Sequence, residues 1–156
     1  MTQQPAESTA PLRPTPVVTS FLLRFDQPGG PQLLIVQRSQ RVGSYQGRWA
    51  GISGFIEPGV SPEEQAYTEI REETGLGPQQ VRLLKRGAVV EHRDQELGRH
   101  WIIHPFLFEV LAPEAIRTDW EAVTMRWIPP AELERYQTVP LLKEAYESAQ
   151  RGESQP

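Results

Sequence analysis

The segment from Ser61 to Leu76 constrains this chain more than any other. Ser61, Pro62 and Glu64 have the types and spacing of a helix N-cap, first turn and third position, the pattern of a capping box. The helix is predicted to run to about Thr74 and to stop at Gly75, a residue able to take the left-handed conformation that ends helices. Ala66 and Ile70 supply its buried stripe, so this helix needs an apolar layer to lie on.

The neighbouring segments supply that layer. Apolar residues recur at second positions over residues 17–25, and a short apolar run follows at 33–36 after the turn signal Gln27-Pro28-Gly29-Gly30. Two further strands are predicted at 87–93 and 100–110, separated by the polar, glycine-containing stretch 94–98. Residues 130–136 and 140–150 look helical, the second with Leu141, Leu142, Ala145, Tyr146 and Ala149 on one face. The pattern is that of an α/β chain with a mixed sheet.

A length of 156 residues fits one domain, and 38% hydrophobic with 23% charged residues is ordinary for a globular protein. Residues 1–14, rich in Pro, Thr, Gln and Ala, are expected to form a disordered tail, 15–150 the domain, and 151–156 a second tail. No run approaches the roughly 18 apolar residues of a membrane span and the first residues lack a signal-peptide core, so the expectation is a cytoplasmic protein with no membrane partner. The absence of cysteine excludes disulfides, thiolate metal sites and cysteine nucleophiles. A net charge of -4 has the wrong sign for broad nucleic-acid binding, so any phosphate site is local.

On the predicted helix Glu69, Glu72 and Glu73 are spaced i, i+3 and i+4, which at about 100° per residue puts three carboxylates into one arc. Like charges at that spacing repel, and a positive group should compensate. A hard divalent cation such as Mg²⁺, which takes one or two carboxylates and fills its other positions with water and phosphate, is one candidate. A solvated face neutralised by Lys and Arg is the other.

The frame around these glutamates decides between them. Gly54-(x5)-Val60-(x7)-Thr68-Glu69-Ile70-Arg71-Glu72-Glu73-Thr74-Gly75-Leu76 resembles the 23-residue Nudix box, G-x5-E-x7-R-E-U-x-E-E-x-G-U with U apolar, and seven of its nine specified positions match. The resemblance extends from about Val17 to Tyr136, through Gln37-Arg38-Ser39 and Gly47-Arg48-Trp49 before the box and Arg126-Trp127-Ile128-Pro129 as a late strand. It implies an α/β/α sandwich around a mixed sheet, and hydrolysis with Mg²⁺ or Mn²⁺ of a nucleoside diphosphate linked to another moiety. It further implies that Glu69, Glu72 and Glu73 hold metal, that the Ser53 carbonyl adds a ligand, and that Glu69 or a distant carboxylate activates water. Glu121, six residues before Trp127, is the candidate for that distant carboxylate. Nudix proteins are often homodimers, and the resemblance carries that expectation too.

Two box positions depart: Val60 stands where the family has Glu, and Thr68 where it has Arg. Losing both charges together spares the fold, because removing one member of an ion pair is far costlier than removing both. Glu69 nevertheless loses the guanidinium that would favour its ionised form and fix its rotamer. The alternative function is therefore a Nudix-fold binding or regulatory domain with little or no catalysis. The superfamily's prenyl diphosphate isomerases depend on a catalytic cysteine, which this chain lacks.

Arg38 and Arg48 are the expected phosphate-binding arginines, with Arg93 and Arg99 as further candidates. Trp120, between Asp119 and Glu121, is the expected stacking surface for the substrate, Trp49, Trp101 and Trp127 being better suited to the core. His100 and His104 share one side of a strand, but about 13 Å separates their Cα atoms, too far for one small ion.

Overall fold

The computed structural model describes residues 11–117 and 124–154. Strand β1 (Arg13–Arg24) has no dry and wet face: residues 18–23 are all buried. A strand covered on both sides lies inside a sheet with a layer on each face, and its side chains divide accordingly. Val18 and Leu22 pack in the core beneath helix α1 (Pro62–Thr74), together with Ala66 and Ile70 of that helix. Phe21 and Leu23 pack in the opposite core, with Leu142, Ala145, Tyr146 and Ala149 of helix α2 (Leu142–Gln150).

One edge of β1 pairs in parallel with β7 (Arg99–Val110) along its length, from Arg13 opposite Arg99 to Leu23 opposite Glu109. Its other edge takes β4 (Ile52–Phe55) antiparallel at Val17–Ser20 and then β2 (Gln32–Gln37) at Leu23 and Arg24. The short β3 (Trp49–Ala50) and β8 (Met125–Ile128) flank β2. Beyond β7 lie β6 (Val90–Asp94) and β5 (Val81–Arg86), and β9 (Glu153–Ser154) closes the edge against β5. The result is a mixed sheet between two helical layers, the α/β/α sandwich expected of this sequence.

Several boundaries need correcting. The expected N-terminal tail reached residue 14, yet Arg13 and Pro14 already pair with β7. Pro14 and Pro16 fit there because they precede the span bound to β4, where a missing N–H costs no ladder bond. Glu153 and Ser154, assigned to the C-terminal tail, pair with Arg86 and Lys85. The strand expected at 87–93 begins only at Val90, as β6, because Gly87 passes against the backbone of Ser148 and Ala149, and β5, which ends at Arg86, lies outside the expected strands. Residues Pro130–Arg135 wind as a 3-10 turn rather than an α-helix. No helix among the described residues is long and apolar enough to cross a membrane.

Candidate active site

Helix α1 starts and stops as its capping residues dictate. The Ser61 hydroxyl accepts from the Glu64 N–H at 3.1 Å, and Gly75, at φ 77°, donates its N–H to the Arg71 carbonyl at 2.9 Å. Gln65, Ala66, Ile70 and Thr74 face the sheet. With that stripe pinned, the next residues round the helix, Glu69 and Glu73, lean over the end of β4.

Gly54 is where the carboxylate meets the strand. A Cβ built on it would lie 2.2 Å from the carboxyl carbon and Oε1 of Glu69, so the glutamate occupies the space that any other residue would fill. Glu69 Oε1 accepts from the Gln65 side-chain amide at 3.0 Å, and that amide's own oxygen accepts from the Glu57 N–H at 3.1 Å. Gln65 is itself only 3% exposed.

The electrostatics of the pair are unfavourable without a counter-charge. Burial, followed by the charges of Glu72 and Glu57, raises the Glu69 carboxyl, while the Gln65 hydrogen bond works the other way. Glu73 is pushed up to about 8, first by burial and then by Glu69, with Arg38 and a backbone hydrogen bond from Ser53 only partly opposing. Glu73 Oε2 is buried with no hydrogen-bond partner among the described residues. A buried carboxylate oxygen left bare beside a second carboxylate is the donor chemistry that a hard divalent cation needs. Among the described residues no group of three His, Asp or Glu is pre-assembled as a cage. That is compatible with Mg²⁺, which retains water and substrate oxygens around few protein ligands.

This pair lines a cleft of about 460 Å³. Its lining combines an acidic group, Glu57, Glu69 and Glu73 with Ser53 and Arg38, and an aromatic wall, Tyr45, Phe55 and Trp101 beside His92. Phe55 is 57% exposed, which folding alone does not explain. Its ring lies 6.2 Å from Trp101 at a tilt of 30°, and Arg99 stacks over both rings. Trp101 Nε1 donates to the Tyr45 hydroxyl at 3.0 Å, which donates to Asp94 at 2.6 Å, fixing both rings. Burial and that bond to Asp94 push the Tyr45 phenol up to about 12. Arg38 carries the loop with Tyr45, donating to the Ser44 carbonyl at 3.0 Å and its hydroxyl at 3.3 Å.

The structure brings together Glu69, Glu73, Ser53 and Arg38, but not every residue expected at the site. Glu72 is exposed and lies outside the cleft lining, though its charge is felt by Glu69 and Glu73. Arg48, expected to bind phosphate, is exposed, lies outside the cleft lining and donates to the Thr138 carbonyl at 3.1 Å. Trp120 and Glu121 lie outside the described residues. His100 bonds to Glu91 at 2.9 Å. Missing from the sequence reading are Glu57, Gln65 and the aromatic wall. Gln65 has a readable signal in its i, i+4 spacing to Glu69, whereas Tyr45, Phe55 and Trp101 meet only through the sheet.

A mixed sheet sandwiched by helices, with a carboxylate-bearing helix laid across the mouth of a cleft, defines the Nudix class of α/β/α proteins. The family model for the NUDIX domain matches residues 14–149, and the chain belongs to that family. Solved structures share the fold at low identity. The MutT protein from Methanosarcina mazei Go1 is 19% identical, with a TM-score of 0.71 over 90% of this chain and 95% of its own. The C. elegans Ap4A hydrolase in a binary complex is 14% identical, with a TM-score of 0.71 over 86% and 93%. The NUDIX domain of Shewanella oneidensis NrtR complexed with ADP ribose is 19% identical, with a TM-score of 0.67 over 95% and 92%.

Two outcomes follow from this geometry. Gly54→Ala should displace the Glu69 carboxylate and lower turnover about 100-fold, measured as phosphate release; wild-type turnover in a folded Gly54→Ala protein would contradict the close approach. Because the folded-state pKa of Glu73 lies near 8, above its ordinary 4.5, the metal-free folded chain holds more protons than the unfolded chain across that window. Its stability should therefore fall as pH rises from about 5 to about 8. Thermal melts in EDTA should show that decline, and Glu73→Gln should remove the larger part of it; parallel wild-type and mutant profiles would contradict the assignment.

Proposed function

We propose that this protein is a divalent-metal-dependent pyrophosphohydrolase that cleaves a phosphoanhydride bond in a nucleoside diphosphate linked to another moiety. The observation that carries this reading is the bare, buried oxygen of Glu73 beside Glu69 in a cleft that also has an aromatic wall. Glu69, Glu72 and Glu73, with the Ser53 carbonyl, are the residues proposed to hold Mg²⁺ or Mn²⁺. By sequence, Glu121 would add a further carboxylate. When bound, the cation supplies stabilisation of charge at the phosphoryl oxygens.

The chain's own residues supply the remainder. Glu69, its carboxyl raised by burial, accepts the proton of the attacking water as the new P–O bond forms and the bridging P–O bond breaks, the bridging oxygen leaving with the departing phosphate. Arg38 sets a forked guanidinium beside the acidic group, where phosphate oxygens would lie. Phe55, Tyr45 and Trp101 offer flat apolar faces to the base, and the hydrogen bonds that fix Tyr45 and Trp101 reduce the ordering cost of binding. Both Ap4A and ADP ribose, named with two of the similar structures, join a nucleotide to a second group, which supports this substrate class. A cytoplasmic location suits such a substrate.

The test is phosphate release, with a coupling phosphatase where needed, from nucleoside triphosphates, nucleotide sugars, dinucleoside polyphosphates and dinucleotide cofactors in Mg²⁺ or Mn²⁺. Release should vanish in EDTA and in Glu73→Gln, fall in Glu72→Gln, and show a KM raised about 10-fold in Phe55→Ala, as loss of one stacking face implies. Silence across the panel with ligand binding intact would replace the hydrolase by a binding domain.

A further inference from the structure

The family's box places an arginine next to its first helix glutamate, and this chain has Thr68 there. Thr68 does not replace that arginine, because its hydroxyl donates back along the helix to the Glu64 carbonyl at 3.1 Å. Val60, at the box's other departed position, has no polar side chain to offer. Glu69 therefore lacks the charged partner that its position has in the family, while its carboxylate must still be held within the gap above Gly54.

Gln65 stands one helical turn before Glu69, on the sheet-facing side of α1. Its amide is used at both ends, donating to Glu69 Oε1 at 3.0 Å and accepting from the Glu57 N–H at 3.1 Å. A glutamine that is 3% exposed is an expensive choice on a helix stripe shared with Ala66, Ile70 and Thr74, unless both polar atoms are satisfied. Here both are, and the two partners are a cleft carboxylate and the backbone of the loop that brings Glu57 to the same cleft. An amide confers direction without charge. It fixes one oxygen of Glu69 and needs no acidic partner of its own, which accords with the joint loss of Glu at 60 and Arg at 68.

Resting on the hydrolase reading above, we infer that Gln65 is the positioning residue for Glu69 in this chain, substituting for the absent box arginine and tying the glutamate to the Glu57 loop. Gln65→Met keeps the volume and helix preference but loses both bonds. It should weaken Mn²⁺ binding, measured by titration calorimetry without substrate, and lower kcat, each by about 10-fold or more, with KM within about 3-fold. Adding Thr68→Arg to Gln65→Met should recover a large part of both losses by giving Glu69 a new donor. A merely structural glutamine would shift the melting temperature and leave Mn²⁺ affinity, kcat and the rescue unaffected, and that result would overturn the inference. Should Gln65→Met fail to fold, Gln65→Glu keeps the acceptor for the Glu57 N–H and puts a second carboxylate where the donor to Glu69 stood; its kcat should fall by about 10-fold or more, and wild-type kcat would overturn the inference.

The contact has a readout that needs neither metal nor turnover. The side-chain amide protons of Gln65, observed by ¹⁵N-resolved NMR, should be protected from solvent exchange in the wild type, and Glu69→Ala should remove that protection. Should the wild type bind no Mn²⁺ and release no phosphate, the proposed function would fall, and the NMR signal would still decide whether Gln65 holds Glu69: an unprotected amide, or one indifferent to Glu69→Ala, overturns it.

Discussion

Glu69 and Glu73 lie one turn apart on α1, both carboxylates are drawn out of water, and the charge of Glu69 further disfavours that of Glu73. Such an arrangement lowers stability unless a cation enters, so the remaining structure has to hold it in place. Ala66, Ile70 and Leu76 anchor the helix in one core with Val18 and Leu22 of β1. Ser61 and Gly75 fix where the helix begins and ends, and therefore which residues face the cleft. Gly54 gives up its side chain so that Glu69 can lie against β4. The long parallel pairing of β1 with β7 carries Trp101 to the same cleft from the other side.

The two departures from the box read differently once the helix is seen in place. In the usual pattern a charged side chain orients the glutamate. Here a neutral amide from the preceding turn makes the contact, and Thr68 turns back onto its own helix. The cost is electrostatic, because an amide leaves the Glu69 carboxyl raised where a guanidinium would lower it. Arg38 is the cation nearest in effect to Glu73, but burial weakens its own charged form and two of its nitrogens, Nε and Nη2, are engaged with Ser44.

What can be read from the sequence is what local chemistry decides. The cap at Ser61, the stop at Gly75, the buried Ala66 and Ile70 and the carboxylate spacing all follow from interactions within a turn or two, and the mixed sheet follows from apolar patterning. Strand β5 escapes such a reading because Arg82, Lys85 and Arg86 interrupt its apolar pattern, and the next segment, Gly87-Ala88-Val89-Val90, looks more strand-like although it is mostly a crossing. The aromatic wall of the cleft is illegible for a different reason. Tyr45, Phe55 and Trp101 come from a loop and two strands far apart in sequence, and nothing local marks them as one wall. Trp101 has the character of a core residue, and half of it is one: it packs against the α2-side core while also lining the cleft.

The acidic pair is, on this account, built around a cation and incomplete without it. Calorimetric titration of the protein with Mn²⁺ near pH 7, in buffers of differing ionisation enthalpy, tests that claim most directly. Because the Glu73 carboxyl titrates near 8 in the metal-free fold, binding should expel close to one proton per ion, and Glu73→Gln should abolish both the binding and the proton release. Binding with no proton release, or binding that survives Glu73→Gln unchanged, would place the cation elsewhere and contradict the account.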